Sequence, residues 1–174
     1  QSSQGSGTIT IGASGETVSF ASGVTGLNYP AFEAKRSSGQ GSVADNTATK
    51  VQFDTKFFDT DSCYDNSTNY RFTPNVAGKY FVYAFIVGGA SGGNSDNKDI
   101  KIHIYKNGVQ HRTIHNLMNN GYENQVNISV NNVLDMNGSS DYVEIYGQIN
   151  SVANGNSSEF VADRCIFGAY RIGA

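Results

Sequence analysis

The sequence is short of several things at once. It has two prolines, two cysteines, two methionines and no tryptophan in 174 residues, and charged side chains make up only 16%. Each shortage excludes something. Two cysteines, Cys63 and Cys165, cannot build the multi-pair disulfide framework of a small secreted scaffold. They either pair, if the fold joins them, or remain two buried thiols, and they set no redox compartment. The net charge is −3 with no basic run, so nucleic acid is not an expected partner. No stretch approaches the roughly 20 apolar residues of a membrane span, so no membrane insertion is expected. No signal peptide is visible, and the chain opens at Gln1, as a processed product or a fragment of a longer protein would. No segment holds a 3.6-residue apolar period long enough for a helix.

What the chain does have is the vocabulary of strands and turns. There are ten Tyr, ten Phe and 20 Gly, with abundant Asn and Ser, and hydrophobic residues reach 38%. That supports one core, in one domain with a short appendage. Four sequons begin at Asn66, Asn127, Asn137 and Asn156. They arise readily in an Asn- and Ser-rich chain and are no evidence of secretion.

Residues 1–7 are rich in Ser, Gly and Gln and read as loose. Thr8–Ile11 and Thr17–Phe20 alternate apolar and polar around Gly12-Ala13-Ser14-Gly15, a small hairpin. Residues 1–29 are therefore expected to form a flexible start, hairpin and linker, and residues 30–174 the main domain. An isolated hairpin is marginal in water and needs a partner. The main domain opens at Ala31–Ala34. Apolar runs then recur at Lys50–Phe53, Tyr70–Thr73, Lys79–Val87, Ile100–Tyr105, Gln110–His115, Gln125–Val130, Tyr142–Ile149 and Arg164–Ile172. This spacing predicts an all-β sandwich or barrel.

Two runs say more. Lys79–Val87 is apolar on both faces. An ordinary antiparallel sheet wets one face, so this strand needs cover twice. The core supplies one cover, and a neighbouring subunit is the simplest second, ahead of the N-terminal segment or a long loop. Tyr142–Tyr146 is aliphatic on one face and largely tyrosine on the other, which also suits an interface. Ile100, Ile102 and Ile104 alternate with Lys101, His103 and Tyr105, so that strand should be one-sided and lie on the outer surface. Lys106-Asn107-Gly108 then signals a tight turn.

A family resemblance follows from ordered blocks. Phe32-Glu33-Ala34 resembles the opening Phe-x-Ala strand of C1q-like domains, and Val51-Gln52-Phe53-Asp54 the next block. Tyr64–Thr68 followed by Arg71–Pro74 resembles the family's Tyr-Asp-x-x-Thr-Gly-x-Phe segment. Gly78–Phe81, the Lys106-Asn107-Gly108 hairpin, Asp141-Tyr142-Val143 and Phe167–Ile172 are similar to later family strands. The chain departs from the pattern at Asn69-Tyr70, where the family has one Gly, and lacks the Trp after Asp-x-Val. No collagen-like stalk precedes the domain. The hairpin lead-in instead resembles bacteriophage tail-fibre or adhesin proteins with C1q-like tips.

The resemblance implies a two-sheet antiparallel jelly-roll sandwich of the C1q/TNF-like kind that associates as a homotrimer. Tyr80, Phe81, Tyr83, Phe85, Tyr142, Tyr146, Phe167 and Tyr170 are the residues expected in the trimer interface or core. The jelly-roll strand order sends three connections, at residues 88–97, 118–124 and 150–159, to the end away from the termini. Long loops on a rigid scaffold carry binding. Asn94, Asp96, Asn119, Asn120, Tyr122, Asn154 and Asn156 are therefore the expected receptor-binding residues.

Catalytic and metal chemistry find little support. His111 and His115 share a strand face but lie roughly 13 Å apart, too far for one ion. Asp59, Asp61 and Asp65 could hold calcium but lack EF-hand spacing. No cofactor is expected beyond that calcium. No nucleophile elbow or phosphate loop occurs. The leading expectation is a non-enzymatic virion component, a trimeric knob of a phage tail fibre or similar appendage. It would bind a bacterial surface glycan or protein and contact other virion proteins. The alternatives are a secreted C1q/TNF-like ligand or lectin, a capsid decoration protein, and a fibre-associated glycosidase.

Overall fold

Alternation becomes strands wherever every second residue can reach one core. The computed structural model describes residues 29–90, 97–118, 123–151 and 158–173. The described elements are β1 (Ala31–Lys35), β2 (Gln40–Val43), β3 (Thr49–Lys50), β4 (Thr55–Asp59), β5 (Tyr64–Asp65) and β6 (Arg71–Phe72). They continue with β7 (Gly78–Ala90), β8 (Asn97–Lys106), β9 (Val109–Leu117), β10 (Gln125–Met136), β11 (Val143–Ser151), β12 (Ser158–Phe160) and β13 (Ile166–Gly173).

They form two antiparallel sheets, the expected jelly-roll sandwich. The first sheet has β7 at its centre. β10 lies along one side of β7, and β13, β1 and β4 follow in order on the other. Beyond Phe85, the partner of β7 changes from β13 to β12, which also pairs with β2. The second sheet runs β5–β6–β11–β8–β9, with β3 also on β11.

The inward residues of both sheets fill one core. On β7, Tyr80, Val82, Ala84 and Ile86 are buried, as are Ile100, Ile102 and Ile104 on β8 and Val143, Ile145 and Ile149 on β11. At the end where β1 begins and β13 finishes the core is aromatic. The Phe32 ring stacks on Tyr64 at 4.5 Å and on Phe72 at 4.7 Å, and meets Phe167 edge-on at 4.9 Å. Toward the other end it is mostly aliphatic and so tight that Gly147 has no room for a side chain. A Cβ there would lie 2.4 Å from the Phe160 ring.

The Asn107-Gly108 turn forms as the sequence predicts, with φ of 53° and 75°. Asn107 also accepts from the Tyr142 backbone N–H and donates to Asp141, so the turn is tied to the start of β11.

Three expectations change. The run starting at Gln125 continues past Val130 to Met136, because Asn131 and Asn132 are tolerated in a strand fully paired with β7. Of the Lys50–Phe53 run only Lys50 is strand, at the end of β3. Val51 and Phe53 still reach the core, and the Gln40 side-chain amide bonds the backbone of Lys50 and Gln52. His103, on the outward side of β8, is nonetheless buried beneath its neighbours.

Candidate interaction surfaces

The outward face of the first sheet is apolar and aromatic in rows that cross the strands. Val133, Phe81, Tyr170 and Ala31 are successive cross-strand neighbours on β10, β7, β13 and β1. The Phe81 and Tyr170 rings lie 5.5 Å apart, and Tyr170 and Val133 are nearly half exposed, at 45% and 46%. The next row holds Asn131, Tyr83, Gly168, Glu33 and Phe58. Here glycine is required by close approach. The Tyr83 ring lies over Gly168, where a Cβ would sit 2.3 Å from it, and its hydroxyl donates to Glu33 at 2.6 Å. Burial, then this bond to a carboxylate, raise the Tyr83 pKa.

The face runs on to the sheet edge. The β1–β4 register slips between Glu33 and Ala34, so Glu33 pairs with Phe58 and Ala34 with Lys56. That bulge leaves Phe57 opposite no residue of its own. Phe57 and Phe58 are both exposed, and the Lys35 ammonium sits 5.7 Å from the Phe57 ring centre. Tyr29 and Ile172 add exposed apolar surface near the termini.

The eight residues assigned to interface or core therefore separate into three places. Tyr80 and Phe167 are in the core. Phe81, Tyr83, Phe85 and Tyr170 share the outward face of the first sheet. Tyr142 and Tyr146 lie on the outward face of the second sheet, across the sandwich, because their neighbours Val143 and Ile145 point inward. Period two says which residues share a face. It does not say which of two sheets that face belongs to.

The second outward face is polar, and its aromatic rings carry charged neighbours. Tyr146 and Tyr105 pack at 4.3 Å, and the Lys50 ammonium lies 5.8 Å from the Tyr146 ring while bonding buried Glu144 at 2.5 Å. The Arg71 guanidinium covers Tyr142 at 4.5 Å. His103 contacts Thr113 Oγ1 at 2.8 Å through Nδ1, and burial lowers its pKa. His115 instead meets Asp99 at 3.1 Å, and His111 is exposed further along β9.

At the end away from the termini the loop stems converge. Ser158 pairs with Ala90, Ser151 with Asn97, and Asn97 with Glu123. The buried Asn97 side chain donates to the carbonyls of Glu123 and Asn124, both at 2.9 Å. Asp45 accepts from the Ser151 backbone at 2.7 Å. Asn94, Asp96, Asn119, Asn120, Tyr122, Asn154 and Asn156 lie outside the described residues, as does the predicted N-terminal hairpin.

Beside these stems is a cleft of about 430 Å³ in the first sheet. It opens where β7 exchanges β13 for β12 and the 161–165 turn crosses beside Val87. Phe85, Val87 and Ile166 line it with Gln125, Asn127, Asp163 and Arg164. No sequence signal marked it, because the gap is made by a change of strand partner.

The acidic cluster is engaged in local structure. Asp59 accepts from the Cys63 and Tyr64 backbones and pairs with Lys56, while Asp65 accepts from the backbones of Ser67, Thr68 and Asn69. Those bonds, Thr68's largest, hold Asp65 far below the ordinary carboxylate pKa. Cys63 and Cys165 are buried free thiols. Burial pushes Cys165 up to about 11, so it is an unreactive thiol at neutral pH.

No family model matches this chain, and no curated protein does. Solved structures do. The globular domain of zebrafish complement 1qA protein aligns with a TM-score of 0.57 at 17% identity, over 82% of this chain and 97% of that one. Murine APRIL, crystallised at pH 5.0, aligns with a TM-score of 0.59 at 7% identity, over 83% of this chain and all of that one. The fold is thus the C1q/TNF-like jelly roll.

Proposed function

We propose that the chain is a non-enzymatic attachment module. It assembles as a homotrimer through the outward face of the first sheet and presents the loops beyond the converging stems to a ligand on a cell surface. In this reading it is the knob of a phage tail fibre or similar virion appendage, with residues 1–29 leading into it. The observation that carries the reading is the row Val133–Phe81–Tyr170 with Tyr83, Phe57 and Phe58 on one sheet face. Apolar surface of this extent on soluble proteins marks an association site. An odd-numbered ring needs two different patches meeting head to tail, and this face has a central patch and an edge patch.

A second reading, a secreted ligand or lectin, draws support from the likeness to complement 1qA and APRIL folds. Attachment of the labelled chain to a panel of bacteria separates the two. The first reading expects binding to particular strains, weakened by Tyr122→Ala and Asn119→Ala. Attachment unchanged by both substitutions would count against the loops. Attachment to animal cells alone would favour the second reading.

A further inference from the structure

The 430 Å³ cleft is large enough for a small ligand, and its chemistry is uneven in a useful way. Its apolar lining is Phe85, Val87 and Ile166. Its one described carboxylate, Asp163, is already neutralised by Lys35 at 2.5 Å. Arg164 is held by a neutral partner, the Gln125 amide oxygen, at 2.5 Å, and makes no ion pair among the described residues. Among the described residues the cleft thus carries one positive charge without an ion-pair partner, beside an aromatic side chain. Gln125 and Asn127 add amide groups at the rim, both on exposed positions of β10.

We infer that this cleft binds the acidic sugar residue of a surface polysaccharide. The carboxylate meets the Arg164 guanidinium, which is shaped for two parallel hydrogen bonds. The apolar side of the sugar ring lies on Phe85. The ring hydroxyls exchange hydrogen bonds with the amides of Asn127 and Gln125, groups that both donate and accept. A neutral sugar leaves the guanidinium unanswered, and a simple anion leaves the apolar lining uncovered. The position fits as well. The cleft lies in the half of the sheet beside the loop stems, whereas Phe81, Tyr170 and Val133 lie in the half nearer the termini. A trimer closed on Val133, Phe81, Tyr170 and Tyr83 keeps the cleft open, and Phe85, expected in the interface or core from the sequence, then belongs to the cleft instead.

The inference rests on the attachment reading and deepens it. It is tested by isothermal titration and saturation-transfer NMR on the full chain, with its mass measured in the same buffer. The probes are glucuronate and galacturonate, with glucose, galactose and acetate as controls. Both sugar acids are expected to bind, the neutral sugars not, and acetate much more weakly. Arg164→Gln should weaken binding by about tenfold or more, the loss of a hydrogen bond to a charged group. Asn127→Trp, which fills the cleft and leaves the charge, should abolish it. Both variants should keep the parent's mass. Equal binding of acetate, binding unaffected by both variants, or no binding of sugar acid by folded protein would overturn the assignment. A fall in mass on Arg164→Gln would also overturn it, by showing that the cleft holds a neighbouring copy. A parent protein that is itself monomeric contradicts the trimer reading, and the titration then still judges the cleft.

Discussion

Replacing Tyr70 by glycine should make the protein more stable, although it removes a large side chain. Tyr70 has φ of 51°, a left-handed backbone conformation that bulky residues rarely adopt. The strain is about 1–2 kcal/mol for an L-residue. Asp65 imposes it, since its carboxylate gathers the backbone N–H groups of Ser67, Thr68 and Asn69 and turns the chain sharply into β6. Glycine removes the strain but loses about 0.5–1 kcal/mol more conformational entropy on folding. The net gain is centred on about 0.75 kcal/mol and reaches at most about 1.5 kcal/mol, which for a chain of this size raises Tm by about 2–3 °C at the centre and about 3–6 °C at the upper end. Differential scanning calorimetry at one fixed protein concentration measures it, because association makes Tm depend on concentration. Tyr70→Ala is the control: it loses the same ring and keeps the strain. If glycine lowers Tm as much as alanine does, the side chain matters more than the backbone and the reasoning fails.

Asp65→Ala should cost about 1–2 kcal/mol at pH 7, in the range of a lost capping carboxylate. Because the folded pKa of Asp65 is depressed, its contribution is present above the unfolded value of about 3.9 and is lost as pH falls toward the folded one. Urea titrations should therefore show the variant and the parent converging in acid; a difference that grows below pH 4 would contradict this. Gly147→Ala should destabilise by about 1–3 kcal/mol through overpacking, since its Cβ would strike Phe160 and Ile86. A Tm equal to the parent's would contradict this close packing between β11 and β12. Gly168→Ala should lift the Tyr83 ring from the sheet and break its bond to Glu33. It is expected to weaken self-association more than it lowers the stability of the single chain, read by sedimentation and by urea midpoint respectively.

Much of the fold is legible along the chain because period two is a strong signal where one face is buried. The two-faced character of β7 could be read directly, and so could the Asn107-Gly108 turn. The short strands β2, β5 and β12 could not, since two to four residues hold no period and exist only through their partners. The family pattern placed a glycine near Asn69-Tyr70, and the structure shows Tyr70 taking the conformation that glycine would. The site was less legible. Tyr142 and Tyr146 look like interface residues in sequence, yet their rings already carry Arg71 and Lys50 on the opposite sheet. Phe57 and Phe58 passed unmarked, because only a bulge brings adjacent residues onto one exposed face. The cleft depends on where β13 gives way to β12, which no local pattern encodes.

The central claim is that the outward face of the first sheet joins three copies. Sedimentation equilibrium of the purified chain at micromolar concentration tests it most directly. For an 18.7 kDa chain the account predicts three times the chain mass, falling to the single-chain mass when Phe81 and Tyr170 are both changed to serine, with the β-sheet circular dichroism retained. A parent chain that sediments as a clean monomer, or a trimer that the double substitution leaves intact, would contradict it.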